Sequence, residues 1–279
     1  MRLTTDVDRG AWIGQRLRGW GNVGGVVPRG FDAYARIFHP VTIRRLDAGV
    51  VQEEHLTTWA DVARRRDRAV HPAMQWNSIA GEGEVDLGDG WVAYAPFEGE
   101  LDEPQFGYTL DVLGRYTGHA DEVTAGFWSG WGSYRPDWTV VMRPVPRGWG
   151  RLLPRRSRRL RRPARASRAG EFPVADVVEN GPLLQLPDRD YVLLVGTITD
   201  LRDDAWKERL HMQVVFGPAL LWPDSHEWCL ASEIDFDSTL VGGSRALVDD
   251  LLTHSDLEVA EVTEDTDLTI DGDTINGRL

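Results

Sequence analysis

The stretch "HEWCLASEIDFDSTLVGGSRALVDDLL", residues 226–252, decides how the chain is read. Its first part, "EWCLASEIDF", reads as a strand, on which Glu233, Asp235 and Asp237 lie two apart and share a face while Ile234 and Phe236 take the other. Gly242 and Gly243 then read as a turn, and Ser244 as the N-cap of a helix over "SRALVDDLL" with Ala246, Leu247, Asp250 and Leu251 on successive turns.

Similar signals recur on either side. "DYVLLVGTITD" (190–200) is short and rich in β-branched residues, which predicts a buried strand, and "LEVAEV" (257–262) predicts another. Towards the N-terminus, Phe31, Ala33, Ala35 and Ile37 alternate on one face of a predicted strand that Pro40 limits. Thr57 or Thr58 is placed to cap a helix carrying Trp59, Val62 and Ala63, and Leu110, Leu113 and Tyr116 mark a second short helix. "TAGFWSGWGSY" (124–134) reads as a strand entering a Gly/Trp loop. Strands and helices mix without strict alternation, so the expected class is α+β: a mixed, mainly antiparallel sheet with a few short packed helices.

Charge is unevenly spread. Residues 147–168 carry ten arginines and no acidic residue, which leaves 21 basic against 44 acidic residues elsewhere, a formal charge of −23. The arginine run has little apolar periodicity and reads as a flexible insert over 147–170. It separates an N-terminal part, 1–146, from a C-terminal part, 171–279, and the two are expected to form one composite domain. An acidic body repels nucleic acid and anionic membranes and favours a basic protein partner or a small cationic ligand. No dedicated nucleic-acid-binding domain is read, although the arginine insert could bind polyanions. The sequence shows neither a transmembrane-length apolar run nor the order of a signal peptide, so a soluble, cytoplasmic protein is expected. Cys229 is the only cysteine, which excludes an internal disulfide and a cysteine-based metal cluster.

Three carboxylates on one strand face, spaced by about 7 Å, repel unless a cation lies between them. That cation would be a divalent metal such as Mg²⁺ or Mn²⁺ held by Glu233, Asp235 and Asp237, or a set of arginines and backbone amides; otherwise the face is solvated. The Gly242–Gly243–Ser244 segment would suit a phosphate at a helix N-terminus, but there is no Walker lysine. His39 and His71 each precede a proline at the end of an extended segment. Trp76, Trp128 and Trp131 lie in or near segments whose glycines would let a ligand approach an aromatic wall.

The segments "ARIFHPV", "VHPAMQW", "FWSGWG", "LPDRDYVLLVG", "LWPDSHEWCLASEIDFDSTLVGGS" and "DGDTIN" resemble a family of uncharacterised actinobacterial proteins across most of the chain outside the arginine insert. That resemblance implies a grouping and no mechanism. At the level of fold the chain is loosely similar to the SUKH immunity and interaction proteins. The expected function is a non-catalytic binding protein with an acidic, tryptophan-rich recognition face and no cofactor. The alternative is a Mg- or Mn-dependent hydrolase or transferase built on Glu233, Asp235 and Asp237.

Overall fold

Small and β-branched residues at alternate positions shape the strands, and the structure, a computed structural model, shows where their two faces go. It describes residues 1–81, 83–118, 121–131, 134, 173–203, 205–212 and 216–277; the arginine-rich stretch 147–170 lies outside them. The strands are β1 (Arg2–Thr4), β2 (Ala33–Phe38), β3 (Val41–Asp47), β4 (Val50–Thr57), β5 (Val85–Gly88), β6 (Trp91–Ala93), β7 (Val123–Trp128), β8 (Leu184–Leu186), β9 (Arg189–Gly196), β10 (Leu220–Pro223), β11 (Cys229–Ser232), β12 (Ser238–Gly243) and β13 (Val259–Val262). The helices are α1 (Ala11–Arg16), α2 (Trp59–Arg65), α3 (Trp76–Ile79), α4 (Gln105–Arg115), α5 (Pro173–Asn180), α6 (Ile198–Leu201), α7 (Ala205–Arg209) and α8 (Arg245–Leu252).

The fold is α+β. A nine-stranded sheet runs β1-β9-β7-β10-β11-β12-β2-β13, with β8 also paired to β9, and a four-stranded sheet runs β4-β3-β6-β5. The strand pairings within both sheets are antiparallel. Strands from before and after the arginine insert interleave in the large sheet: β9 lies between β1 and β7, and β2 lies between β12 and β13. Ala33, Ala35 and Ile37 of β2 face a core shared with Leu110 and Leu113 of α4 and Leu247, Val248 and Leu251 of α8. Tyr34, pointing the other way, joins Leu193, Leu220, Trp222 and Leu240 against Ile13 of α1. Because both faces are covered, β2 and β12 are buried at every residue. A third core packs Val41, Ile43 and Ala93 of the small sheet on Trp59 and Val62 of α2 and Trp76 and Ile79 of α3. Among the described residues no helix is long and apolar enough to cross a membrane.

Three expectations need correction. The strand through "EIDFD" ends at Ser232, because β11 folds back on β12 with Ser232 opposite Thr239, and the chain must reverse between them. Glu233–Asp237 is therefore the hairpin connection, in which the Phe236 N–H donates to the Glu233 carbonyl at 2.9 Å. Gly242 and Gly243 are not a turn: they end β12, opposite Tyr34 and Ala33 of β2. A glycine is needed at 242 for space, since a Cβ there would stand 2.5 Å from Phe31 Cδ2 and 2.9 Å from Val27 Cγ1. Phe31 itself precedes β2 and packs against the opposite core from Ala33 and Ile37. The helix caps stand as predicted: Thr58 accepts from the Asp61 N–H and Ser244 from the Leu247 N–H.

The two sheets are joined at Arg36. Its side chain is 1% exposed, donates to the carbonyls of Met74 (2.9 Å) and Pro72 (3.2 Å) and to Ser238 Oγ (3.0 Å), and lies 3.7 Å from Asp237. The guanidinium also covers the rings of Phe38 and Trp59, at 4.6 and 5.5 Å from their centroids. Burial draws its pKa down to about 10, against the pull of Asp237, Asp273 and Glu258, so it remains charged at neutral pH. A second tie runs from Glu258, which accepts from the Trp59 and Ala60 N–H groups at 2.6 and 2.7 Å.

Replacing Arg36 with methionine keeps most of the volume but leaves two buried carbonyls and Asp237 without their cation. Chemical denaturation is expected to show a loss of about 3–5 kcal/mol; a loss below about 1 kcal/mol would show that Arg36 does not hold the sheets together. Ser244→Ala is expected to cost about 1 kcal/mol through the lost cap of α8, measured the same way.

Candidate functional site

Three connections that would be unremarkable alone, the loop before β2, the β8–β9 turn and the β11–β12 connection, meet around one cleft of about 870 Å³. The first is built on "GWGN". Gly19 and Gly21 adopt φ of +89° and +71°, a left-handed geometry that glycine enters without steric cost. Hydrogen bonds pin the loop: the Gly25 N–H donates to Asn22 Oδ1 (2.9 Å), Arg18 N–H to the Gly24 carbonyl (2.8 Å) and Leu268 N–H to the Gly21 carbonyl (2.7 Å). Between the two glycines Trp20 is left 84% exposed at the cleft.

The lining of the same cleft is acidic. Arg189, which opens β9, donates to Glu233 Oε1 at 2.7 and 3.1 Å and to Asp235 Oδ2 at 2.9 Å, with its guanidinium 5.6 Å from the Trp128 ring centroid. It fills the place between these two carboxylates, which is the arginine solution to their repulsion. Asp237 lies deeper, and burial pushes its carboxyl above the usual range although Arg36 opposes this. Glu98 is also pushed up, first by partial burial and then by the charges of Asp237 and Asp235. The lining thus sets five carboxylates, Glu98, Asp188, Glu233, Asp235 and Asp237, against one guanidinium, Arg189. Among the described residues no group of three or more His, Cys, Asp or Glu is placed to hold a metal ion.

The remaining expected site residues separate. Trp76 lines this cleft from the start of α3 while being 4% exposed, its ring edge-on to Trp59 at 5.6 Å. His39 is buried elsewhere, with Nδ1 2.6 Å from the Phe97 carbonyl and Nε2 2.8 Å from Thr239 Oγ1. His71 is engaged by the C-terminal loop: its Nε2 is 2.9 Å from Asp273 Oδ1 and 3.3 Å from Asn276 Nδ2. Burial pushes the Asp273 carboxyl up, but hydrogen bonds from Asn276 and Gln75 more than offset it and its pKa ends below the ordinary value. Gly243 and Ser244 border a different cleft of about 490 Å³ beside Tyr116, and the strand pairing of Gly242 and Gly243 removes the free glycine loop that a phosphate would need. The side chain of Trp131 lies outside the described residues. Cys229 is fully buried, and burial raises its thiol pKa.

Trp20, Arg189 and Glu98 carry the cleft but were not singled out from the sequence. Only Trp20 had a local signal, a tryptophan between two glycines. Comparison with family models, curated proteins and solved structures finds no match to the chain.

The environment of His39 makes a pH test available. Burial lowers its pKa from 6.5 to about 4, the charge of Arg36 adding to the effect and the bond to Phe97 opposing it. Between those values the unfolded chain binds a proton that the folded chain refuses. The contribution of neutral His39 to stability is therefore complete above about pH 6.5 and is lost as the pH falls through that window. Urea titrations from pH 7 to 4 are expected to show the advantage of the wild type over His39→Gln shrinking on acidification; a constant gap would show that His39 titrates normally.

Proposed function

We propose that the protein is a non-catalytic binding protein that takes a cationic group, from a basic protein segment or a small amine, into the acidic cleft beside Trp20. The observation that carries this reading is the excess of carboxylates over guanidinium in a cleft whose edge bears a tryptophan 84% exposed. Arg189 is already engaged by Glu233 and Asp235 and Arg36 faces Asp237 at 3.7 Å, so the lining carboxylates left to meet an incoming cation are Glu98 and Asp188.

A cation entering there gains about 4 kcal/mol per carboxylate at 4 Å in a medium of effective dielectric near 20, less the cost of shedding its own water. An indole face adds about 0.5–1 kcal/mol at an exposed site. The −23 charge outside residues 147–168 would steer a basic partner towards this surface from a distance. Neither His39 nor His71 belongs to the cleft lining, and each is held by structural partners, which supports recognition over acid–base chemistry.

Calorimetric titration of the full chain with an oligo-arginine peptide tests this. Trp20→Ala is expected to weaken binding about fivefold, the equivalent of about 1 kcal/mol. Glu98→Gln is expected to weaken it more at low than at physiological salt. Because cation binding favours ionised Glu98, affinity should fall on acidification. Unchanged affinity in both variants would refute the assignment.

A further inference from the structure

The segment between β6 and α4 has a second face. Ala95, Pro96 and Glu98 line the acidic cleft beside Trp20, and the same three residues line another cleft of about 720 Å³ with His39, Leu56 and Phe97. The two clefts therefore adjoin, with Glu98 in the lining of both. The second is the more one-sided in charge: it sets four carboxylates, Glu98, Glu100, Asp102 and Glu103, against no lysine and no arginine. None of the four forms an ion pair among the described residues, and the one imidazole there, His39, has its pKa lowered to about 4 by burial and stays neutral. Phe97 is 49% exposed, and its ring lies nearly parallel to that of Phe216, at 10° with centroids 6.5 Å apart. In the first cleft a donor is left over as well. Trp76 is buried, and its indole N–H has no hydrogen-bond partner among the described residues.

We propose that the cation taken up beside Trp20 is an arginine of an extended segment of another protein, which crosses the wall formed by Ala95, Pro96 and Glu98 and sets a second arginine beside Phe97. This rests on the reading of the first cleft as a cation site and adds what kind of molecule carries the cation. A small amine would fill one cleft and leave the carboxylates of the other unmatched. Nor does an ammonium or guanidinium hold an acceptor for the Trp76 N–H, whereas a peptide offers a carbonyl at every residue, and a buried donor left unpaired is a cost that such an acceptor relieves. Arginine suits the second cleft better than lysine, because its planar guanidinium covers a ring face while its fork of donors meets carboxylates. Alternate side chains of an extended chain stand about 7 Å apart on one side, so arginines a few residues apart reach neighbouring clefts along a single stretch of peptide.

Calorimetric titration of the full chain with acetyl-arginine amide, octa-arginine and octa-lysine separates the two levels. Acetyl-arginine amide is expected to bind and to be weakened by Trp20→Ala, as the first cleft alone requires. Octa-arginine is expected to bind at least about a hundredfold more tightly than the single residue, since its second arginine makes its contacts at the effective concentration set by the first, and more tightly than octa-lysine. Phe97→Ala removes no charge and is expected to weaken octa-arginine about fivefold, to narrow its advantage over octa-lysine and to leave the single residue unaffected. The melting temperature of this variant should hold, because the ring is exposed and the carbonyl bonded to His39 is kept. Asp102→Asn/Glu103→Gln, also at exposed positions, should reproduce the selective loss for the peptide. If neither arginine probe binds, or neither responds to Trp20→Ala, the reading of the first cleft fails and the extended partner falls with it. If both bind and respond but octa-arginine gains no more than about tenfold, the advantage that its repeated placements alone supply, or if Phe97→Ala weakens both arginine probes equally or neither, the first cleft stands and the extended partner is overturned.

Discussion

The buried guanidinium of Arg36 is the constraint around which the molecule is arranged. A charge in a protein interior is tolerated only where every donor finds a partner, and the partners here come from two distant segments: Pro72 and Met74 beside the small sheet, and the adjacent Asp237 and Ser238 where the β11–β12 connection enters β12. Satisfying one side chain brings "HPAM", β2 and the β11–β12 hairpin to one point. The aromatic rings of Phe38 and Trp59 then close over the guanidinium, and the Trp59 N–H of the indole donates to the His39 carbonyl at 2.9 Å. The core of the small sheet begins there.

Asp237 gives this arrangement its consequence for function. It faces Arg36 on the structural side and lines the acidic cleft on the other, so scaffold and site share a carboxylate. Charge is handled differently on the two sides. Behind Asp237 the cation is fully enclosed, and within the cleft the single charge of Arg189 is shared between Glu233 and Asp235. What stays uncompensated is concentrated near Glu98, whose carboxyl is raised by burial and by its acidic neighbours. A folded protein tolerates such a concentration because the cleft remains open to solvent, the opening through which the proposed cationic ligand would enter.

Much of the fold was legible locally because its causes are local. Alternation of Ala33, Ala35 and Ile37 marked a strand with one face in a core, and Thr58 and Ser244 announced helices because a side-chain oxygen satisfies an N–H within three residues. The separation of 1–146 from 171–279 by the arginine run was also visible, but nothing in composition showed that strands of both parts would interleave in one sheet. Strand neighbours are chosen by cores that form only when distant segments meet.

The sequence by itself determined an α+β class, the sites of the main strands and helix caps, and an acidic body, since propensity, periodicity and net charge need no tertiary partner. Tertiary structure alone decided the end of β11 at Ser232, because pairing with β12 sets where the chain turns and so moves Glu233, Asp235 and Asp237 from a strand face into a loop. It also decided that Gly242 is a packing necessity beneath Phe31 and not a turn, and that His39 is a buried neutral imidazole. The meeting of Trp20, Glu98 and Arg189 in one cleft likewise has no sequence signature: 169 positions separate Trp20 from Arg189, and only the folding of the loop before β2, the β6–α4 segment and the start of β9 around one cleft brings them together.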